Sequence, residues 1–188
     1  VRSKGAKLII ENGLGLESWI SQFLNSAGGD IPKVKLTEGM KVLAIEGDVY
    51  AGKPNPHAWM SPKRAMHYVD KIVEAFIKID PEGELEYKSN ASAYKAKLEI
   101  LDEELRNSLS LIPKHRRVLV TCEGAFSYLA HDYGMEEAYL WPVNAESQVT
   151  PRRMINLIEK IKENNVPTIF CESTVSSKAQ REVAKATG

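Results

Sequence analysis

The chain has 188 residues, and its 25 lysine and arginine residues balance 25 aspartate and glutamate residues to a formal net charge of zero. A protein without a basic surplus is not expected to bind nucleic acid, and apolar runs of only a few residues cannot cross a bilayer. This length suffices for a substantial core, in one domain or in two small ones.

The first part of the chain predicts strands and a helix in alternation. Residues 7–13, KLIIENG, are typical of a short buried strand, and residues 14–29 have the apolar spacing of a helix that ends at glycine. Residues 40–45, MKVLAI, predict a second strand.

A proline elbow (residues 52–65, GKPNPHAWMSPKRA) follows and contains His57. Pro54 and Pro56 fix their own φ angles and favour extended conformations in the residues before them, so the backbone entering His57 has few options. The imidazole is either held out for contact or half-buried in a structural turn, and the elbow alone leaves both readings open.

The elbow leads into a predicted helix. Ser61 followed by Pro62 is typical of an N-cap with proline at the first helical position. Apolar residues then recur at helical spacing until Asp80 and Pro81 end the pattern.

The longest regular pattern predicts a helix from about Glu82 to Ser110, roughly 40 Å long at 1.5 Å per residue. Its apolar stripe recurs at threes and fours and consists of Tyr87, Ala91, Tyr94, Leu98, Leu101, Leu105 and Leu109. Such a helix is too long for one compact unit, so we expect it to run along two lobes that bury the stripe. A coiled-coil arm is the alternative.

After Pro113 strands and helices alternate again. The predicted strands are RVLVT, AYLW and PTIFC, and the predicted helices are GAFSYLAHDYG, residues 150–164 and a last one opening at Ser176 or Ser177. Repeated βα units imply a parallel sheet.

The predicted fold class is therefore α/β, with two lobes of parallel sheet flanked by helices and joined by one long rigid helix. We place a partial N-terminal lobe at residues 1–80, the linking helix at 81–111 and a partial C-terminal lobe at 112–188.

The two cysteines, Cys122 and Cys171, are too few for a disulfide framework. Each follows a predicted strand. We expect two buried free thiols rather than a disulfide bond, because adjacent strands rarely give the Cβ geometry that the bond requires.

Ligands of parallel sheets bind beyond the carboxyl ends of the strands, where Glu123 and Glu172 stand. Together with His57, one or two such carboxylates would form part of a metal site of oxygen and nitrogen ligands. The structural alternative for each glutamate is a helix cap or an ion pair with arginine.

Several catalytic motifs are absent from the sequence, namely H-E-x-x-H, G-x-S-x-G and the phosphate loop G-x-x-x-x-G-K-[ST]. We expect the other histidines, His67, His115 and His131, to be solvated or packed on helices rather than to bind a ligand.

Four segments of the sequence resemble those of a known protein family: PNPHAWMSPKRA, DPEGELEYKSNASAYKAKLEILDEEL, VTCEGAFSYLAHDYG and IFCESTVS. In this order they resemble the metal-binding solute receptors of ABC importers for manganese, zinc or iron, from about residue 6 to the end. The resemblance implies two lobes joined by a rigid helix, with a metal ion in the cleft bound by two histidines and two carboxylates.

Matched residue by residue, His57 corresponds to the second histidine of that set and Glu123 to the carboxylate of the E-G-A-F segment. The first histidine and the final aspartate are expected before Val1 and beyond Gly188, so the chain is expected to lack both natural ends. Receptors devoted to zinc usually have histidine where Glu123 stands, and a His-rich loop before the elbow. Oxygen-rich ligands favour Mn²⁺, with Zn²⁺ and Fe²⁺ as alternatives.

The resemblance implies a non-enzymatic, monomeric receptor that delivers its metal to an ABC-type membrane permease from the periplasm or as a cell-surface lipoprotein. A metal-dependent hydrolase with Glu123 or Glu172 as general base is the alternative, and it requires an open coordination position beside that base. A third hypothesis is a helical interaction protein with an exposed apolar stripe.

Overall fold

The computed structural model describes residues 5–20, 31–46, 50–143 and 149–188. Its strands and helices, in chain order, are β1 (Ile9–Glu11), β2 (Lys33–Lys35), α1 (Pro62–Ile79), α2 (Glu84–Ser110), β3 (Val118–Glu123), α3 (Ser127–Tyr133), β4 (Glu136–Trp141), α4 (Pro151–Glu163) and α5 (Lys178–Thr187). Within these described ranges, no helix has the length and apolar character needed to cross a membrane.

Two small parallel sheets, one in each lobe, confirm the α/β fold class. β1 pairs with β2 in the register Ile9 to Lys33, and β3 pairs with β4 in the register Val118 to Glu136. Of the helix predicted over residues 14–29, residues 18–20 are helical and residues 21–29 lie outside the described part. The lobe boundaries stay a prediction.

The strand predicted at residues 40–45 is wrong. Only Ala44 forms a bridge, an antiparallel one with Pro54, flanked by hydrogen bonds from Ile45 N to Lys53 O and from Asn55 N to Leu43 O, both 2.8 Å. The partner is the proline elbow, whose prolines have no N–H to extend a ladder.

The strand predicted at residues 167–171 does not form either. The segment runs beside β3, with a backbone hydrogen bond from Phe170 N to Val120 O at 2.9 Å, but it forms no ladder with that strand in the described part of the chain. Its carboxyl end still lies at the same edge of the sheet as the end of β3, which brings Glu172 beside Glu123.

The long helix α2 is confirmed, although its apolar stripe is buried only in part. Leu98 is 9% exposed, whereas Tyr94 is 54% and Leu101 42% exposed. The helix packs along α1 and touches α3, where Tyr133 Oη donates to Asp102 Oδ1 at 2.7 Å. These neighbours cover one side of the stripe, so the prediction that both lobes bury all of it is wrong.

The cores of the two lobes differ in size. The larger one fills the space between β3, β4, α4 and α5 and consists of Val120, Cys122, Ala138, Leu140, Trp141, Leu157, Ile161 and Val183. The smaller one lies in the N-terminal lobe, yet its fully buried Tyr128 comes from α3 of the other lobe. The interlobe contact is therefore part of a hydrophobic core.

Polar contacts reinforce this junction. Arg64 on α1 forms a bidentate pair with the buried Asp132 of α3, with Nε to Oδ2 and Nη2 to Oδ1 both 2.8 Å, and its guanidinium stacks 4.7 Å from the centre of the Tyr128 ring. Ser61 stands at the predicted N-cap of α1, but its hydroxyl donates to Asp132 Oδ2 at 2.8 Å instead of capping the helix.

Cys122 and Cys171 form a disulfide bond, with Cα atoms 4.9 Å apart. The expectation of two free thiols is wrong because it assumed two paired strands. Cys171 lies in the irregular segment beside β3, where the backbone is free to adopt the Cβ geometry of the bond.

Candidate metal site

His57 lies at the start of a short 3₁₀ turn, Ala58–Met60, that leads from the proline elbow into α1. Its residue is 9% exposed, and the ring centre lies 5.2 Å from the ring of Trp59. The prolines therefore hold the imidazole in a buried position, not on an exposed loop as a free-standing elbow would suggest.

Asn55 fixes the orientation of the His57 ring. Its Oδ1 accepts a hydrogen bond from the backbone N–H of His57 and lies 3.0 Å from His57 Nδ1. An amide oxygen can only accept, so Nδ1 carries the ring proton of neutral His57. The lone pair of the imidazole is consequently on Nε2.

Glu123 is the last residue of β3, and its Oε1 lies 3.6 Å from His57 Nε2. The side chains are 11% and 12% exposed, respectively. Desolvation by burial lowers the pKa of His57 to about 4, so the ring is neutral at pH 7 and this contact is not an ion pair there. The structure thus brings together the two residues that the sequence predicts, with a nitrogen lone pair facing a carboxylate.

Two facing acceptors repel each other unless a cation lies between them. Imidazole nitrogen and carboxylate oxygen are both good ligands for divalent transition metals, and an Nδ1–H that is hydrogen-bonded to the protein is the usual support for an Nε2 ligand. The pair therefore has the chemistry of half of a metal site.

Glu172 supports Glu123 from the neighbouring segment. Its Oε1 accepts a hydrogen bond from the backbone N–H of Glu123 at 3.2 Å, while its Oε2 is buried without a hydrogen-bond partner among the described residues. Glu172 thus positions the backbone that carries Glu123. The sequence also allowed Glu172 to cap a helix or to pair with an arginine, but its hydrogen bond is to the backbone of Glu123.

Sequence reasoning missed the buried polar chain behind His57. Asn55 is 1% exposed, and its Nδ2 donates to Gly124 O at 2.9 Å and to Ser127 Oγ at 3.0 Å. Ser127 in turn donates to Glu137, whose pKa is raised by burial. The position of Asn55 between two prolines in P-N-P-H was the available signal, but its partners Gly124 and Ser127 lie 69 and 72 residues away and no local pattern indicates them.

The remaining histidines lie apart from this pair. His67 Nε2 lies 2.9 Å from Glu38 O, and His131 Nδ1 lies 3.1 Å from Asp132 Oδ1. His115 is exposed in a turn before β3. The predicted positions of His67 and His131 on helices and of His115 in solvent are confirmed, and the prediction that none of them binds a ligand stays a prediction. Cys122, Cys171 and Glu172 also cluster, but sulfurs joined in a disulfide bond offer no thiolate to a metal.

Comparisons with known proteins find similar chains among metal-binding proteins. The family model described as ZnuA, zinc-uptake complex component A, periplasmic, matches residues 1–188. The chain is 46% identical to the iron-binding protein YfeA of Yersinia pestis and 33% identical to the manganese ABC transporter substrate-binding lipoprotein PsaA of Streptococcus pneumoniae. These alignments cover 100% and 98% of the chain but 60% and 61% of the relatives, so the chain spans about three fifths of their length.

Solved structures show the same fold. A Mn-bound periplasmic metal binding protein from Candidatus Liberibacter asiaticus superposes with a TM-score of 0.87 at 32% identity, over 97% of this chain and 66% of that one. The periplasmic zinc binding protein TroA of Treponema pallidum gives a TM-score of 0.85 at 29% identity, over 97% and 65%.

Proposed function

The chain belongs to the family of periplasmic zinc-uptake complex component A, and on that premise we propose that it binds a divalent transition-metal ion as cargo for an ABC importer. The observation that carries the proposal is the contact between His57 Nε2 and Glu123 Oε1, 3.6 Å apart. A neutral imidazole and a carboxylate in this arrangement are stabilised by a shared cation.

His57 and Glu123 are the proposed ligands from this chain. Each comes from a different lobe, so a bound metal ion lies between the lobes. The resemblance adds a second histidine and a second carboxylate, predicted outside residues 1–188, which would complete a site of four protein ligands.

The proposed cargo is Mn²⁺, with Zn²⁺ and Fe²⁺ as the alternatives. Glu123 supplies oxygen where zinc receptors of this kind usually have imidazole, and oxygen ligands favour Mn²⁺ and Fe²⁺ over Zn²⁺. The relatives named for iron and for manganese support this direction.

The proposed role of the protein is that of a receptor and not of an enzyme. A hydrolase needs a general base beside a metal-bound water, but Glu172 directs Oε1 at the backbone of Glu123 and Glu123 itself faces His57. We propose an extracytoplasmic monomer, either periplasmic or a surface lipoprotein, that docks on a membrane permease. The Cys122–Cys171 disulfide bond fits an oxidising compartment.

Thermal melts of the whole protein with and without Mn²⁺, Zn²⁺ or Fe²⁺ test the proposal. Metal raises the melting temperature of the wild type by mass action, and we expect His57→Ala and Glu123→Ala to lose most of that rise. His115→Ala is the matched control, since it removes an exposed imidazole and should keep the full rise. Variants of His57 and Glu123 that retain the wild-type rise would remove both residues from the site.

A further inference from the structure

The side-chain amide of Asn55 uses all of its hydrogen-bonding capacity. Oδ1 meets the N–H and the Nδ1 of His57, each at 3.0 Å, and Nδ2 meets Gly124 O at 2.9 Å and Ser127 Oγ at 3.0 Å. An amide has two donor hydrogens and two acceptor lone pairs, so each of the four is engaged. With the residue 1% exposed, losing any of these bonds leaves a buried polar group unsatisfied.

The four bonds allow only one orientation of the amide. If Nδ2 and Oδ1 were exchanged, a donor would face the backbone N–H of His57 and an acceptor would face the carbonyl of Gly124. The backbone therefore fixes the amide, the amide fixes the proton on Nδ1, and the lone pair of His57 is left on Nε2 toward Glu123.

The same amide joins the two sides of the site. Gly124 directly follows Glu123, and Ser127 opens α3, so the donors of Asn55 hold the loop that carries the carboxylate while its acceptor holds the imidazole. One rigid planar group thus links the proline elbow to Gly124 and Ser127, which lie 69 and 72 residues further along the chain.

We propose that Asn55 is the positioning residue of the metal site: it selects the Nδ1–H tautomer of His57 and sets the separation between His57 Nε2 and Glu123. This inference rests on the proposed function. Asn55 does not touch the metal ion and acts through the two ligands. Aspartate at this position retains the acceptor for His57 but has no donor for Gly124 or Ser127, so only an amide fulfils both roles.

The tautomer is measured on the apo protein by long-range ¹H–¹⁵N spectra of histidine-labelled samples, with His57→Ala to assign the signal among the four histidines. The wild-type ring should be protonated on Nδ1. Asn55→Ala should lose this preference, whereas Asn55→Asp should retain it. A wild-type ring protonated on Nε2 overturns the proposal and requires no variant to fold.

Calorimetry of the same proteins with Mn²⁺ completes the test. Asn55→Ala should weaken Mn²⁺ binding roughly 10- to 100-fold, the usual effect of losing the partner that orients a ligating histidine. Unchanged affinity in Asn55→Ala overturns the proposal. Failure of the proposed function has a different signature, because His57→Ala would then bind Mn²⁺ like the wild type while the tautomer of the apo protein would remain as stated.

Discussion

Glu172 holds Glu123 through the backbone, since Glu172 Oε1 accepts the N–H of Glu123 at 3.2 Å. The disulfide bond joins Cys122 and Cys171, the residues that directly precede these two glutamates. One covalent bond thus secures the strand that ends in the proposed ligand and the segment that supports it.

Removing this bond should lower stability substantially. It closes a loop with a sequence separation of 49 residues, for which the entropy of the unfolded chain predicts a loss of about 4 kcal/mol in the double variant Cys122→Ala/Cys171→Ala. Urea denaturation of the oxidised wild type and the variant measures the difference. A reductant should weaken the wild type and leave the variant unchanged, and an equal response of both would contradict this account.

The partial burial of the α2 stripe predicts unequal effects of two similar substitutions. Leu98→Asp places a carboxylate at a position that is 9% exposed and should destabilise the protein by several kcal/mol. Leu101→Asp, at a position that is 42% exposed, is the matched control and should cost well under half as much. Thermal melts of the two variants measure the difference, and equal losses would contradict the unequal burial of the two positions.

Metal preference should respond to the donor atom at position 123. In the whole protein, Glu123→His should shift relative affinity from Mn²⁺ toward Zn²⁺, because imidazole suits zinc and oxygen suits manganese. Glu123→Gln is the control for charge and should weaken both metals without favouring zinc in the same way. An unmoved ratio of the two affinities in calorimetry would show that Glu123 is not a ligand.

The low pKa of His57 predicts an acid-sensitive fold. The pKa is about 4 in the folded protein against 6.5 in an unfolded chain, so between these values the unfolded state binds more protons. The contribution of neutral His57 to stability is therefore fully present above pH 6.5, falls as the pH is lowered toward 4, and changes no further below that value. The loss is about 3 kcal/mol for a shift of this size.

His57→Gln isolates this contribution from that of the other titrating groups. The difference in unfolding free energy between wild type and variant should vary between pH 6.5 and 4 and be flat above pH 6.5. A difference that stays constant over this window would mean that His57 titrates normally. If His57 is a ligand, the same pKa predicts that protonation of its ring does not weaken metal binding near pH 6.5, where an exposed histidine would titrate.

Much of the fold was predictable because local residues mark where the helices begin and end. Pro62 starts α1, Asp80 and Pro81 stop it, and Thr150 caps α4 by accepting the N–H of Arg153. The proline elbow, the predicted strand end and the resemblance predict that His57 and Glu123 share a site, and the structure places Nε2 and Oε1 of this pair 3.6 Å apart.

The missing parts depend on distances that no local pattern encodes. The Cys122–Cys171 bond requires the course of an irregular segment beside β3, and the engagement of Asn55 requires the docking of α3. Ser61 has the sequence of an N-cap, yet its hydroxyl donates to Asp132 Oδ2 and makes no capping bond to the first turn of α1, and the position of Asp132 on α3 is not encoded locally.

The ion pair of Arg64 and Asp132 joins α1 to α3, and the Arg64 guanidinium stacks on the ring of Tyr128. Separating α1 from α3 would expose part of a hydrophobic core and break this ion pair, so we expect these two helices to move as one body. Under the proposed function, we therefore expect metal to be taken up and released through displacements smaller than a rotation of one lobe against the other. We expect X-ray scattering profiles of the whole protein to be the same with and without metal, and a change in the radius of gyration on adding metal would contradict this expectation.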